Sequence, residues 1–273
     1  MIYNYHQVTF SAEETVQAKQ AYERELEQHD RKVKHYHADN GVFDSMEFRE
    51  SVDILNQKIT FSGVGAHHQN GKAERAIQTV VEKARTMMLH ASMHWPETFS
   101  MDLWPYAIDY AVFIYNHTPR VEDGVAPLEH MGNCYMNCKH IARCKVFGCP
   151  VYVLDAKLQD GKKIPKWKPR ARMGQFLGFS PDHSSLVGLV RNLRTEYVSP
   201  QWHLVYDEHF KTVSVSDTDN NEADAIWTSL FNDPATRDWY FDETSTNPAD
   251  TPPELDSEWQ YNETPTPRQH RCL

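Results

Sequence analysis

The chain has 273 residues, 40% of them hydrophobic, which is enough for a substantial globular domain with a smaller second one. This excludes a small surface module without a core. The formal net charge is −10, but 13 acidic residues and only three arginines lie from residue 214 onward, so the preceding 213 residues are neutral overall. The acidity of the whole chain therefore does not exclude nucleic acid as a partner of its first 213 residues.

The five cysteines indicate the cellular compartment. Their number is odd, their spacing does not suggest disulfides, and no apolar run approaches the length of about 18 residues that a membrane span needs. We therefore expect an intracellular chain with reduced thiols and no membrane partner. Zinc binding is an alternative role for four cysteines and two nearby histidines, although the spacing of the cysteines does not suit it. These residues are Cys134, Cys138, Cys144, Cys149, His130 and His140.

The first ten residues predict a β-strand, because residues 2, 4, 6 and 8 alternate with residues 3, 5 and 7. This strand would begin at once, without a leader, so we expect a fragment whose upstream sequence is missing; an alternative start codon would look the same. Ser11 and Glu14 form a capping-box pattern that opens a helix to about His29.

Residues 32–38 predict a second strand, which ends on the turn tripeptide Asp39-Asn40-Gly41. Asp39 would thus lie at the carboxyl end of a strand, where active groups often lie in α/β folds. A short helix over residues 45–55 and a third strand over residues 58–62 follow. The loop from Gly63 to Gly71 has three glycines.

A long amphipathic helix follows this loop, because apolar residues from Ala73 to Ala91 recur every three or four positions. Glu74 lies in its first turn, where the helix dipole stabilises a carboxylate, so a purely structural role is one interpretation of that residue. A second helix is predicted over residues 96–117, with a kink at Pro105.

From Cys144 the pattern changes to short strands with glycine and proline between them, which is typical of a small β-barrel. The stretch from Lys139 to Arg172 contains ten basic and two acidic residues. Basic side chains mixed with Trp167 indicate either a nucleic-acid contact or a solvated hairpin loop with the tryptophan packed on the barrel. Beyond Val213 the polar, acidic composition predicts a disordered tail.

Three motifs in this order resemble the integrase region of copia-type retrotransposon polyproteins: HADNG at 37–41, HHQNGKAERA at 67–76, and KVFGCPVYVL at 145–154, followed by GQFLGFS at 174–180. The resemblance covers residues 1–213. It implies an α/β fold with an RNase H-like integrase core that lacks its first strands, followed by an all-β SH3-like barrel. The domains are then a partial catalytic core at 1–133, the barrel at 144–213 and the acidic tail at 214–273.

The resemblance makes Asp39 and Glu74 the second and third acids of a catalytic, metal-binding triad. The 34 residues between them are one fewer than is usual in the family. The resemblance places the first acid, which bridges the two ions, on an upstream strand that this sequence does not include. The zinc-binding module that precedes the core in the family is not in this sequence either. Because Mg²⁺ or Mn²⁺ is held by several oxygen ligands, we expect weak or lost metal binding and no catalysis from this chain alone.

Nucleic-acid contacts are expected at two places. The loop and helix start around Glu74 offer amides and cations for phosphates or base edges, and the basic loop of the barrel offers cations beside an aromatic ring. The alternative for both is solvation. The expected contact residues are Gln69, Asn70, Lys72, Arg75, Lys163, Lys166, Trp167, Lys168 and Arg170.

The sequence thus predicts a truncated integrase whose partner is DNA, both transposon ends and target. A homo-oligomer or the reverse transcriptase portion of the polyprotein is a further expected partner, and the nucleus is the expected place of action. Two alternatives stay open: a non-catalytic DNA- or protein-binding module retained from a transposon, and a nuclease completed by another chain's aspartate.

Overall fold

The computed structural model describes residues 1–63, 67–132, 141–159, 161–183 and 187–213. Of these, residues 1–63, 67–132, 141–159, 161–180 and 187–213 belong to one compact unit. The helices of the described residues are α1 Ala12–Glu27, α2 Met46–Ile54, α3 Gly71–His94, α4 Trp104–His117, α5 Pro127–Gly132 and α6 Ala156–Gln159. The strands are β1 His35–Ala38, β2 Lys58–Phe61, β3 Pro150–Leu154, β4 Ala171–Phe179, β5 Gly188–Asn192, β6 Val198–Gln201 and β7 Leu204–Tyr206.

The first part of the unit is built on two parallel strands. β1 pairs with β2 in the register His35↔Lys58 to Ala38↔Phe61, and α1 and α2 pack beside them. Phe48 and Val52 of α2 are almost completely buried, and the Phe48 ring contacts the Tyr36 ring of β1 edge-on at 6.1 Å. The predicted strands and helices of this region are confirmed within a few residues.

A buried polar cluster joins α1 to both strands. The Glu23 carboxylate accepts hydrogen bonds from Lys19 Nζ (3.2 Å), Tyr36 Oη (2.8 Å) and Gln57 Nε2 (2.5 Å). Only 2% of the Lys19 side chain and 13% of the Glu23 side chain are exposed. Burial, followed by the bond to Glu23, raises the pKa of Tyr36. Because a buried charge without its partner is costly, this cluster fixes α1 over the sheet.

The predicted strand over the first ten residues is wrong. No strand pairs with this stretch among the described residues. Its backbone instead bonds to helix side chains. Ile2 N donates to Asn116 Oδ1 of α4 (2.8 Å) and Ile2 O accepts from Asn116 Nδ2 (2.7 Å), while Val8 N and Thr9 N donate to Glu14 Oε2 of α1. Asn4 and His6 both contact Asp109, while Tyr3 contacts Tyr22 of α1 at 5.3 Å. The alternation therefore reflects two helical neighbours, not a sheet.

The predicted kink at Pro105 is also wrong, and residues 96–103 are not part of the helix. α4 begins at Trp104, so Pro105 lies in its first turn, where the missing N–H costs no hydrogen bond. The predicted amphipathic helix is confirmed as α3, whose buried face includes Val80, Ala84 and Met88.

The second part of the unit is a five-stranded antiparallel sheet in the order β6-β5-β4-β3-β7. Its two edge strands are consecutive in the chain, joined by Trp202 and His203. From Gln201 to Leu204 the chain can reach about 10 Å, whereas the edges of a flat five-stranded sheet lie about 19 Å apart. The sheet must therefore curl strongly, bringing its edges toward one another.

This sheet shares one hydrophobic core with α3 and α4. At the centre of the contact, Gly148 has a φ of +74°, and a Cβ there would lie 2.4 Å from Ala91 Cβ of α3. Trp95 Nε1 donates to Gly148 O at 2.7 Å, and Gly148 N donates to Phe176 O at 2.7 Å. Tyr110 of α4 meets the Phe176 ring edge-on at 5.7 Å. The boundary predicted between a core and a barrel stays a prediction.

The segment after β7 packs on the end of α3. The buried Phe210 ring stacks on His94 at 4.0 Å between centroids, and His90 meets His94 at 4.9 Å. His94 Nδ1 is buried without a hydrogen-bond partner. Burial and then the neighbouring His90 lower the pKa of His94.

In the part of the chain that the structure describes, no helix is long and apolar enough to cross a bilayer. The predicted disordered tail, residues 214–273, lies outside the described residues.

We expect Gly148→Ala to lower the free energy of unfolding by about 2–5 kcal/mol, because the new methyl group meets Ala91 and the backbone is in the left-handed region. Urea denaturation followed by circular dichroism measures this. Gly161→Ala is the matched control, since Gly161 has a φ of +71° and a Cβ added there would meet nothing within 4 Å. Equal losses in the two variants would contradict the contact, and Ala91→Gly should partly rescue Gly148→Ala.

We also expect the stability to fall as pH drops below about 6.5, since the unfolded chain then protonates His94 while the folded chain resists it. His94→Phe keeps the stacking on Phe210 and removes this titration. The slope of the unfolding free energy against pH should therefore be smaller in the variant between pH 6.5 and 5. Identical slopes would show that His94 does not contribute.

Candidate carboxylate site and basic surface

Asp39 immediately follows β1, as predicted, and its side chain is exposed. The strand ends here because Asp39 Oδ1 accepts from Gly41 N at 3.4 Å and turns the chain away. Ala38 beside it is buried, so the backbone under the carboxylate is held by the core while the carboxylate faces solvent.

Glu74 lies in the first turn of α3 and is also exposed. The N-terminus of this 24-residue helix supplies positive partial charge to its carboxylate. No side chain caps the helix, because Asn70 at the cap position makes no such hydrogen bond.

Hydrogen bonds link the turn that contains Asp39 to the end of β2, and the end of β2 to the residues that precede the helix of Glu74. Asn40 Nδ2 donates to Ser62 O (2.9 Å), and Ser62 N donates to Ala38 O (2.9 Å). Directly after Ser62, Gly63 N donates to Gln69 Oε1 (2.8 Å). The turn after β1, the end of β2 and the start of α3 are therefore fastened to one another, and both carboxylates belong to this edge of the unit.

The predicted loop contacts have two different environments. Lys72 and Arg75 are exposed, as a phosphate contact requires, and Asn70 is half-buried. Gln69 is exposed, but its side-chain oxygen is already used to close the loop on Gly63, a role that the sequence did not indicate.

A hard divalent cation is the ligand that suits two exposed carboxylates. Asp39 and Glu74 would hold it, but among the described residues no group of three His, Cys, Asp or Glu side chains could hold a metal ion. A site with only these two carboxylates would leave most of the coordination sphere of such an ion to water.

A second exposed surface is the connection between β3 and β4, described for residues 155–159 and 161–170. Trp167 is 91% exposed, which excludes packing on the sheet. Lys163, Lys166, Lys168 and Arg170 are all exposed as well, and Lys166 Nζ lies 5.8 Å from the centroid of the Trp167 ring. Asp155 N donates to Arg170 O at 2.8 Å and closes the base of this connection. We call these five side chains the basic surface.

The two described cysteines are not paired with each other. Cys144 and Cys149 form no disulfide. Cys149 is completely buried, and burial raises its pKa to about 12, so it is a small core residue. Cys134, Cys138 and His140, the other members of the alternative zinc set, lie outside the described residues, and His130 bonds to Asp123 at 2.7 Å.

One group of side chains beside Asp39 was missed from the sequence. His35 and His37 of β1 both contact Thr60 of β2 through ring nitrogens. The alternate positions of the two histidines in a strand are the signal that could have indicated it.

No family model matches this chain. Among curated proteins, "Retrovirus-related Pol polyprotein from transposon TNT 1-94" of Nicotiana tabacum is 34% identical over 143 residues. The aligned part is 50% of this chain and 10% of that polyprotein, so the chain spans about a tenth of its relative's length. The chain is thus similar to a segment of a retrotransposon Pol polyprotein, and this similarity supports a retroelement function in general terms.

Proposed function

We propose that this chain is an integrase segment of a copia-type retrotransposon polyprotein, and that it binds DNA without catalysing strand transfer by itself. The observation that carries the proposal is the hydrogen-bonded edge on which Asp39 and Glu74 both lie. The similarity to a Pol polyprotein is the independent support.

The proposed fold is an RNase H-like core joined to an SH3-like barrel. Two features support it. The parallel pair β1–β2 leaves one side of β1 without a neighbour among the described strands, and isolated parallel pairs are rare. The curled five-stranded antiparallel sheet has the strand number of a small barrel, and its edge strands are joined by only two residues.

The proposed chemistry assigns Asp39 and Glu74 to Mg²⁺ or Mn²⁺. When bound as a pair, such ions activate the attacking oxygen and stabilise the leaving oxygen of a phosphodiester. Asp39 and Glu74 orient their carboxylates from a strand end and a helix start, and neither is buried enough to exclude water. The 273 residues supply two of the three acids that the resemblance requires.

DNA is the proposed partner at both places that the sequence indicated. Lys72 and Arg75 surround Glu74 on the first turns of α3 and would meet backbone phosphates. The basic surface would add electrostatic attraction and stacking on Trp167. Transposon ends and target DNA are the proposed substrates, the nucleus is the proposed location, and a second copy or a reverse transcriptase portion is the proposed protein partner.

A non-catalytic DNA- or protein-binding module is the second candidate, and the exposure of Trp167 favours it. An indole ring that is 91% exposed among cations is suited to binding whether or not a metal site is complete. Catalysis by a chain completed with another chain's aspartate is a third interpretation of the same carboxylates.

We expect Trp167→Ala to weaken binding of the full chain to a short single-stranded DNA by about 5- to 150-fold, the loss of one base-stacking contact. Replacing Lys163, Lys166, Lys168 and Arg170 by glutamine should reduce the slope of log K against log salt by several units. Fluorescence anisotropy at a series of salt concentrations measures both effects.

Trp202→Ala is the matched control for the tryptophan, because Trp202 is 61% exposed and lies outside the basic surface. Arg194→Gln with Lys211→Gln is the control for charge. If the control variants lose as much affinity, or if the salt slope is flat, the basic surface is not the binding site.

We expect no strand transfer or nicking by the purified chain with Mg²⁺ or Mn²⁺, because two exposed carboxylates cannot hold two ions. A labelled transposon-end oligonucleotide resolved on a denaturing gel measures this. Activity that Asp39→Ala abolishes and the exposed-site control Glu97→Gln retains would refute the proposed loss of catalysis while supporting the integrase assignment.

A further inference from the structure

Two histidines of β1 direct their ring nitrogens at one atom. His35 Nε2 lies 2.8 Å and His37 Nδ1 lies 3.0 Å from Thr60 Oγ1. Residues 35 and 37 face the same side of the strand, and Thr60 is the register partner of His37 on β2. Both rings are exposed. The backbone pairing of two strands therefore fixes the convergence, and solvent reaches it.

The hydroxyl cannot serve both rings as a donor. The Thr60 hydroxyl has one proton, and it can also donate this proton to Tyr36 O, which lies 3.4 Å from Oγ1. At least one imidazole must then donate to the oxygen and turn a protonated nitrogen toward it. The Thr60 hydroxyl is a weak acceptor for two ring nitrogens. A cation in its place could form stronger bonds to both nitrogens.

We propose that His35 and His37 chelate a borderline divalent cation of the Zn²⁺ class on the exposed face of β1. Imidazole nitrogen is a preferred ligand of such ions, whereas Mg²⁺ prefers oxygen. The two nitrogens are less than about 6 Å apart, since each lies within 3.0 Å of the same oxygen. Bonds of about 2.0–2.1 Å to one ion need only rotation of the exposed rings.

The site has two protein ligands. Among the described residues, no group of three possible ligands surrounds this or any other point. Water completes the coordination, so binding is weaker than at a closed four-ligand site and exchange is fast. Because its ligands are imidazoles and not carboxylates, the proposal does not depend on the proposed integrase function.

The test is isothermal titration of Zn²⁺ into the full chain after its accessible thiols have been alkylated. The variant is His35→Asn with His37→Asn, in which the amides preserve polarity next to Thr60. The matched control is His203→Asn with His209→Asn, two exposed histidines that share no strand face with β1. We expect at least about a tenfold loss of affinity for one zinc equivalent in the first variant and none in the control.

The single variants test the chelate itself. Because one imidazole alone holds the ion poorly, His35→Asn or His37→Asn should each lose nearly as much affinity as the double variant. Either single variant also serves if the double variant does not fold, which circular dichroism shows. In long-range ¹H–¹⁵N spectra, both ring resonances should shift together on addition of Zn²⁺, and excess Mg²⁺ should not reverse the shift.

Three results would overturn the proposal. Unchanged zinc binding in the double variant places the ion elsewhere. Equal losses in the double variant and in its control indicate nonspecific histidine binding. Displacement of Zn²⁺ by excess Mg²⁺ assigns the ion to carboxylates such as Asp39 and Glu74, a result that leaves the proposed integrase site intact.

Discussion

The contact between Gly148 and Ala91 determines how the two parts of the unit are joined. Two small residues allow the backbone before β3 to approach α3 so closely that a single added methyl group would lie 2.4 Å from Ala91 Cβ. Trp95 then closes the contact by donating to Gly148 O. Large side chains surround this contact. They can pack there only because the backbones at Gly148 and Ala91 lie so close together. The glycine of the KVFGCPVYVL motif is thus required by its conformation and by its clearance.

Local patterns predicted the elements whose causes are local. Ser11 accepts from Glu14 N at 3.2 Å and begins α1, and the apolar periodicity gave α3. The first ten residues were misjudged because their alternation is real, while a strand also needs a neighbouring strand. Asn116, 114 residues away from Ile2, supplies those hydrogen bonds instead. Pro105 was misjudged because its effect depends on where the helix begins, and α4 begins at Trp104, directly after the short 3₁₀ helix Met101–Leu103 that Ser100 caps.

The same division applies to the site. The positions of Asp39 after a strand and Glu74 in the first turn of a helix were predicted correctly, since turns and helix starts are encoded locally. Their joint role came from the resemblance and stays a prediction. Residue types and spacing could not show that Gln69 closes the loop onto Gly63, nor whether Trp167 packs on the sheet, because both depend on the folded arrangement of the chain. The sequence permitted Trp167 either to pack on the sheet or to face solvent. Only the folded structure shows that it faces solvent.

The helix α3 connects the carboxylate edge to the sheet as a single rigid element. From Glu74 to Ala91 it rises by about 26 Å, and its far end is fixed to Gly148 by contacts too close to slide. Nucleic acid held at the start of α3 and at the basic surface would therefore meet two sites on one body, without a hinge between α3 and β3. Two weak contacts on a rigid body act at high effective concentration. Binding at both places would then be stronger than either alone, even where the two carboxylates hold no metal.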